Sequence, residues 1–285
     1  MPSLYIVATP IGNLEDISQR ALRVLREVDL IAAEDTRVTR KLLTRYDIRT
    51  RLTSYRESNR ESKLPKLLAA LEDGDVALVS DAGTPGINDP GSELVRAAAE
   101  NGIPVVPVPG PSAVTTAIAV SGLPVGEFVY LGFLPRKKGD RRRLLDAFAG
   151  DPRTLVALET PHRLRDSLAG ILDVLGDRRV AVCRELTKLH EEVFRGVISE
   201  ALDRFSEPRG EFTLVIEGAV RDDAGHALKK ESALDALEKL RADGFTDRDA
   251  VAAAAIFTGL PKSAVYRLWL DSKKTSGGGE AGPAP

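Results

Sequence analysis

The stretch 76–91, VALVSDAGTPGINDPG, leaves the chain few options. It begins as a short apolar run rich in β-branched valine, which reads as a buried strand. The run stops at Asp81, and three glycines and two prolines then fall within the nine residues 83–91. Glycine removes Cβ and proline fixes the backbone path, so such a loop lets main chain approach a ligand closely. Taken alone, an ordinary strand-to-helix turn would look the same. Recurrence along the chain separates the two readings.

Residues 4–8, LYIVA, form a strand that runs straight into Thr9-Pro10-Ile11-Gly12-Asn13. Residues 30–33 form a second strand, ending in Glu34-Asp35-Thr36-Arg37, and 105–108 another, ending in Pro109-Gly110-Pro111-Ser112. Residues 51–55 also read as strand. Helical patterns fill the gaps at 19–27, 39–46, 62–72, 92–101 and 113–120. Asp16 or Ser18 can cap the first of these, and Gly102 ends the fourth. Strands alternating with helices predict a doubly wound α/β domain, its sheet mostly parallel and its strand-end loops sharing one ligand edge. TPIGN is not GxGxxG and no GxxxxGK[ST] occurs, so neither a dinucleotide nor ATP is expected.

Ser121-Gly122-Leu123-Pro124 reads as a domain boundary. Beyond it, strands at 127–133, 154–158, 180–183 and 212–216, a hairpin arm at 193–199, and helices at 164–175 and 200–205 predict a second α/β domain, again with a mostly parallel sheet. After Val220 the texture changes to a polar linker at 221–230. Helical patterns follow at 232–243, 247–257 and 261–270, the last two joined by Thr258-Gly259-Leu260. This segment reads either as a helix-turn-helix or as a small helical cap. The Gly- and Pro-rich end is expected to be disordered. The expected division is 1–121, 122–220, 221–272 and 273–285.

A length of 285 residues suits more than one domain. The formal charge of −2 gives no global pull towards nucleic acid, so any basic surface must be local. One cysteine, Cys183, precludes an internal disulfide and fits a reducing cytoplasm; three scattered histidines make a metal site unexpected. No run of eighteen apolar residues and no basic-then-apolar leader is present, so neither membrane nor export is expected.

Two sets of residues could carry chemistry. Arg136, Lys137, Lys138, Arg141, Arg142 and Arg143 put six cations into eight positions. Such a cluster is either a solvated helix face or, with His162 and Arg163 from the same half, a track for phosphates. The second set is the polar groups at strand ends: Glu34, Asp35, Arg37, Ser80, Asp81, Glu159, Arg184, Glu185, Lys188 and Glu211. Carboxylates beside Gly-rich loops can hold an amine or ribose hydroxyls, accept a proton, or simply cap helices and form ion pairs.

TPIGNLEDIS, AAEDTR, VSDAGTPGINDPG, PVPGPSA, GFLPRK, ETPHRL, RELTKLHEE and GEFTLVIEG run in order through about three-quarters of the chain. Together they resemble the ribosomal RNA branch of the tetrapyrrole-methylase superfamily. That resemblance implies two α/β domains with S-adenosylmethionine held between them, a homodimer, and methylation of a cytidine ribose 2′-oxygen in small-subunit ribosomal RNA, free or in the assembled subunit. It places cofactor contacts at Gly83, Thr84, Pro85, Ile87, Ser112, Ala113, Glu159, Leu186 and Thr213, with Asp81, Pro10 and Gly12 beside them. Thr84 stands where the superfamily usually has Asp. The first-loop GxGPG of tetrapyrrole enzymes is replaced by TPIGN, which argues against a porphyrin-like acceptor. Direct in-line transfer needs a proton acceptor: Asp35 and Asp81 come first, then Glu34 and Glu159. Lys188 or Arg37 could acidify the hydroxyl or hold a phosphate.

Overall fold

A computed structural model describes residues 1–87, 89–219, 223–260 and 262–276; of 223–230, 263 and 271–276 it describes only the backbone. The chain divides into two compact units, the first being Met1–Ala219.

The N-terminal half of that unit alternates as its sequence pattern requires: β1 (Leu4–Val7), α1 (Gln19–Glu27), β2 (Leu30–Ala33), α2 (Thr36–Arg45), β3 (Arg51–Ser54), α3 (Arg60–Asp73), β4 (Val76–Val79), α4 (Ser92–Glu100), β5 (Val105–Val108) and α5 (Ala113–Ser121). Ser18 caps α1, its hydroxyl accepting the Ala21 N–H at 3.0 Å. The sheet order is β3-β2-β4-β1-β5, parallel throughout. All four residues of β4 are buried, as a central strand covered on both faces should be. Helices α1 and α2 cover one face, with Leu25, Leu42 and Leu43 in the core; α3 and α4 cover the other, with Leu67, Leu71 and Leu94. Adjacent β1 and β4 thus feed helices on opposite faces. Their loops part at a topological switch point, where open α/β sheets bind ligands.

The second half contributes β6 (Phe128–Phe133), α6 (Lys138–Asp146), β7 (Thr154–Glu159), α7 (Pro161–Leu175), β8 (Arg179–Arg184), β9 (Glu192–Val197), α8 (Ile198–Arg204) and β10 (Phe212–Ile216), in the order β6-β7-β10-β8-β9. The two-domain α/β class holds, but the expectation of a mostly parallel second sheet is corrected. Only β6 and β7 run parallel; β10 is antiparallel to β7 and β8, and β9 to β8. The reason is chain length. Residues 185–191 are too few for a crossover, which takes a dozen or more, so β8 and β9 form a hairpin. Helices α6, α7 and α8 pack on one face, around Leu155, Leu164, Ile171 and Leu214. The opposite face receives α5, whose Ala117, Val114 and Ile118 meet Val156, Ala181 and Val215. By packing, α5 belongs with the second sheet although it precedes the 121/122 break. Arg195 on β9 holds it there, donating to the carbonyls of Val120 and Ser121.

The second unit is helical: α9 (Asp223–Ala242), α10 (Asp247–Thr258) and α11 (Lys262–Ser276). Ala233, Leu237, Ala250, Ala254, Val265 and Trp269 form its core. Thr246 caps α10 and Gly259 ends it at φ +69°. Helix already runs from Asp223 through most of the expected linker, because Ala, Leu and Lys there are good helix formers. Residues 221–222 of that linker and 277–285 of the expected tail lie outside the described residues. Among the described residues, no helix is long and apolar enough to cross a membrane.

Candidate active site: a cleft between two sheets

The strand-end loops of the first sheet do converge. Thr9 and Gly83 exchange backbone hydrogen bonds at 2.9 Å each, which ties the loop after β1 to the loop after β4. The Thr9 hydroxyl donates to the Ser80 carbonyl at 3.1 Å. Gly83 sits at φ +80° and Gly86 at +83°, conformations that glycine adopts without strain. These loops face the sheet of the second half across a cleft of about 320 Å³. Its lining is mixed: Ile11, Ile87, Val114, Leu158, Leu186 and Phe212 are apolar, while Glu34, Asp81, Asp89, Glu159 and Glu211 are carboxylates.

Glu34, Asp35 and Asp81 form a connected set. The Asp35 N–H donates to Asp81 Oδ1 at 2.9 Å, and the Asp81 N–H to Glu34 Oε2 at 3.3 Å. Burial pushes the Glu34 carboxyl above its ordinary range, with the Asp81 N–H pulling the other way. Asp35 does not line the cleft. It caps α2, accepting the Arg37 N–H at 2.8 Å, and binds the Arg37 guanidinium with Arg56 behind it. The bonds from Arg37 hold its carboxyl well below the usual range.

Asp89, which the sequence reading passed over, lies in the cleft wall. Burial, reinforced by the nearby Glu34 charge, pushes its carboxyl up to about 6 against a lowering hydrogen bond from Ser80. The only sequence signal was its place in the NDPG end of the long loop. Tyr130, Phe133, Leu158 and Phe212, also missed, come from strands of the second sheet and look like core in one dimension.

On the second-sheet side, Glu159 is 2% exposed. Its oxygens accept from the Ser167 hydroxyl at 2.5 Å and the Thr160 N–H at 2.8 Å, and Arg163 stands 3.4 Å away. The loop after β8 carries two non-glycine residues at positive φ, Glu185 at +50° and Thr187 at +68°. Such conformations persist only where surroundings enforce them. Here Lys188 Nζ donates to Glu185 Oε1 and to Glu211 Oε2, both at 2.9 Å. Partial burial works against the Lys188 charge, but these two bonds outweigh it and raise its pKa. Gly12 packs so tightly on this loop that a Cβ would lie 2.4 Å from Lys188 Cγ, and the Asn13 N–H donates to Thr187 Oγ1 at 3.1 Å.

Of the residues expected to hold a cofactor, Asp81, Gly83, Thr84, Ile87, Ser112, Ala113, Glu159, Leu186 and Thr213 line the cleft. Pro10, Gly12 and Pro85 belong to the loops behind its wall. Of the residues expected to move protons, Asp81, Glu34 and Glu159 line it, while Lys188 reaches it through Glu211. Cys183 also lines it, its thiol pushed up by burial to about 11 and so inert as a nucleophile. The basic cluster splits. Arg136, Lys137, Lys138, Arg142, Arg143 and His162 are exposed. Arg142 pairs with Asp173 and Asp146, and Arg143 with Asp140. Arg141 turns inward, 7% exposed, and donates to the carbonyls of Pro135 and Asp166. Arg163 is likewise tied to Glu159 and to the Leu134 carbonyl. Among the described residues no cluster of His, Cys, Asp or Glu is arranged to hold a metal ion.

A parallel lobe presenting its strand ends to a mixed second sheet is the layout of a tetrapyrrole methylase. The chain belongs to that family: residues 3–202 match the model described as Tetrapyrrole (Corrin/Porphyrin) Methylases. Proteins named Ribosomal RNA small subunit methyltransferase I are its relatives. That of Halalkalibacterium halodurans is 46% identical over 94% of both chains, and that of Escherichia coli O157:H7 47% identical over 95% of both. The one from Thermotoga maritima is 52% identical, and 99% of its length corresponds to only 76% of this chain. Among solved structures, a uroporphyrin-III C-methyltransferase from Thermus thermophilus covers 75% of this chain with a TM-score of 0.55 at 21% identity, a likeness of fold.

Proposed function

We propose that this protein transfers a methyl group from S-adenosylmethionine to the 2′-oxygen of a cytidine ribose in small-subunit ribosomal RNA. The observation that carries the reading is the cleft, where the loops of a parallel lobe meet the second sheet, in a chain whose near relatives bear a ribosomal RNA methyltransferase name. The residues present suit the cofactor. The Glu34, Asp81 and Asp89 carboxylates in the lining favour a cationic ligand, and the apolar patches beside them suit its adenine and methylene groups. Gly83, Thr84, Ile87, Ser112, Ala113, Leu186 and Thr213 would hold it. When bound, it supplies a methyl group already activated on a sulfonium, so the chain's own task is alignment and proton removal.

Asp81 accepts the proton of the 2′-hydroxyl as the new carbon–oxygen bond forms, with Glu34 and Asp89 able to share the load. The Asp35 N–H orients Asp81, and the Asp35–Arg37–Arg56 cluster fixes that loop. Arg136, Lys137, Lys138, Arg142, Arg143, His162 and Arg37 hold the RNA backbone outside the cleft. Arg141 and Arg163 position the framework beneath it. The protein works in the cytoplasm as a homodimer, two subunits sharing an acceptor larger than one cleft. Mass mapping of ribosomal RNA from cells with and without this protein is the test. Loss of a single 2′-O-methyl on a small-subunit cytidine in its absence is expected; an identical methylation map would overturn the reading.

A further inference from the structure

We propose that Phe133 is the platform on which the base of the acceptor nucleotide stacks; this rests on the RNA-methylating reading above. Along a regular strand, residues three apart point to opposite faces. Tyr130 and Phe133 are three apart on β6, yet both line the cleft. The pairing of β6 with β7 explains it. Tyr130 pairs with Val156 and Gly132 with Ala157, so one extra residue is accommodated between them, and Gly132 lies at φ +66°. This bulge turns Phe133 onto the cleft face, which is what bulges beside active sites commonly do.

The backbone just after Phe133 is anchored. Leu134 is buried, and its carbonyl is gripped by Arg163, itself anchored on Glu159. Phe133 itself, beside this anchored backbone, is 51% exposed. Ile87, on the loop of the opposite lobe, lines the same cleft and is 46% exposed. Two half-bare apolar groups, one from each lobe, suit a flat ligand between them.

Position along the sheet separates this place from the cofactor's. Phe133 is on edge strand β6, whereas Thr213 and Leu186 are on or just beyond β10 and β8. From β6 to β8 is three inter-strand steps, about 14 Å, enough for two nucleosides side by side. Immediately after Phe133 come Arg136, Lys137 and Lys138, all exposed. Cations next to an aromatic ring are what an unstacked nucleotide with its phosphates requires.

The test uses full-length protein and an RNA fragment spanning the mapped methylation site, with pyrrolocytosine at the acceptor position for fluorescence. Phe133→Ala should lower kcat/KM for RNA by about 5- to 150-fold, the range seen when a stacked base loses its aromatic partner. Affinity for S-adenosylhomocysteine, measured by calorimetry, should stay within about twofold, and the quenching of pyrrolocytosine on binding should disappear. Phe133→Trp should restore both readouts and Phe133→Leu neither. Unchanged kcat/KM in Phe133→Ala, a matching loss of S-adenosylhomocysteine affinity, or rescue by Leu equal to that by Trp would each overturn the proposal. If wild-type protein methylates neither this RNA nor small subunits assembled with it, the reading of function fails; if it is active on either and Phe133→Ala is equally active there, only the stacking role fails.

Discussion

The two walls of the cleft are made differently. The first-sheet wall consists of loops at strand ends, where Gly83 and Gly86 at positive φ let backbone close round a small space. The second-sheet wall consists largely of strand faces and their immediate ends: Tyr130 and Phe133 on β6, Leu158 and Glu159 on β7, Phe212 and Thr213 on β10. A loop wall is fixed by local backbone geometry. A strand-face wall depends on what lies behind it, here α6–α8 packed on the reverse of the sheet. The Asp81 carboxylate of the loop wall should therefore fail through chemistry and the buried Glu159 cluster of the sheet wall through stability.

The sharpest test of that contrast sets Asp81→Asn against Glu159→Ala. Asp81→Asn should cut single-turnover methyl transfer by about 10²- to 10⁴-fold at saturating cofactor, the usual value of a positioned proton acceptor, with little change in Tm. Glu159→Ala leaves Arg163 without its carboxylate and Ser167 without its acceptor. It should destabilise the fold by about 3 kcal/mol, read as a fall in denaturation midpoint. If Asp81→Asn keeps near-normal rates, Asp81 is not the acceptor; if Glu159→Ala melts like wild type, the sheet wall does not lean on that cluster.

The basic cluster offers a smaller contrast inside one helix. Replacing Lys137, Lys138, Arg142 and Arg143 with Gln should flatten the salt dependence of RNA binding, by about 0.7 for each phosphate left unneutralised on single-stranded RNA. Arg141→Gln should leave the slope alone and lower stability instead, since its guanidinium serves two backbone carbonyls. Equal slopes for all variants would make the whole cluster surface charge.

The pH dependence is smaller still. The Asp89 carboxyl titrates near 6 in the folded protein against an ordinary 3.8. The native state thus binds that proton more tightly than the unfolded chain, and stability falls as pH rises from about 4 to about 6. Asp89→Asn should melt higher than wild type at pH 7 and lose that advantage at pH 4. Wild-type methyl transfer should climb as pH passes about 6, a step absent from Asp89→Asn. The smallest effect expected is from removing residues 220–285: binding of S-adenosylmethionine should persist, as the length of the Thermotoga maritima relative suggests.

The same division governs what could be read in advance. The loop wall was legible because glycine, proline and carboxylates cluster there in sequence; Asp81, Gly83, Thr84 and Ser112 announce themselves. Phe133 was not, because its orientation depends on a register shift against β7 that leaves no mark beyond one glycine. Nor was the inward turn of Arg141, which in sequence is indistinguishable from Arg142. The direction of β10 was hidden too, since Phe212–Ile216 reads as a buried strand whichever way it runs. Asp35 misled for a simpler reason: a residue that caps a helix and one that accepts a proton need the same carboxylate at a strand end.

The seating of α5 on the second sheet has a mechanical corollary. The chain crosses from one lobe to the other at Pro109-Gly110-Pro111-Ser112, before the helix rather than after it, and Ser112 lines the cleft. Any pivot between the lobes therefore runs through the wall that touches the ligands.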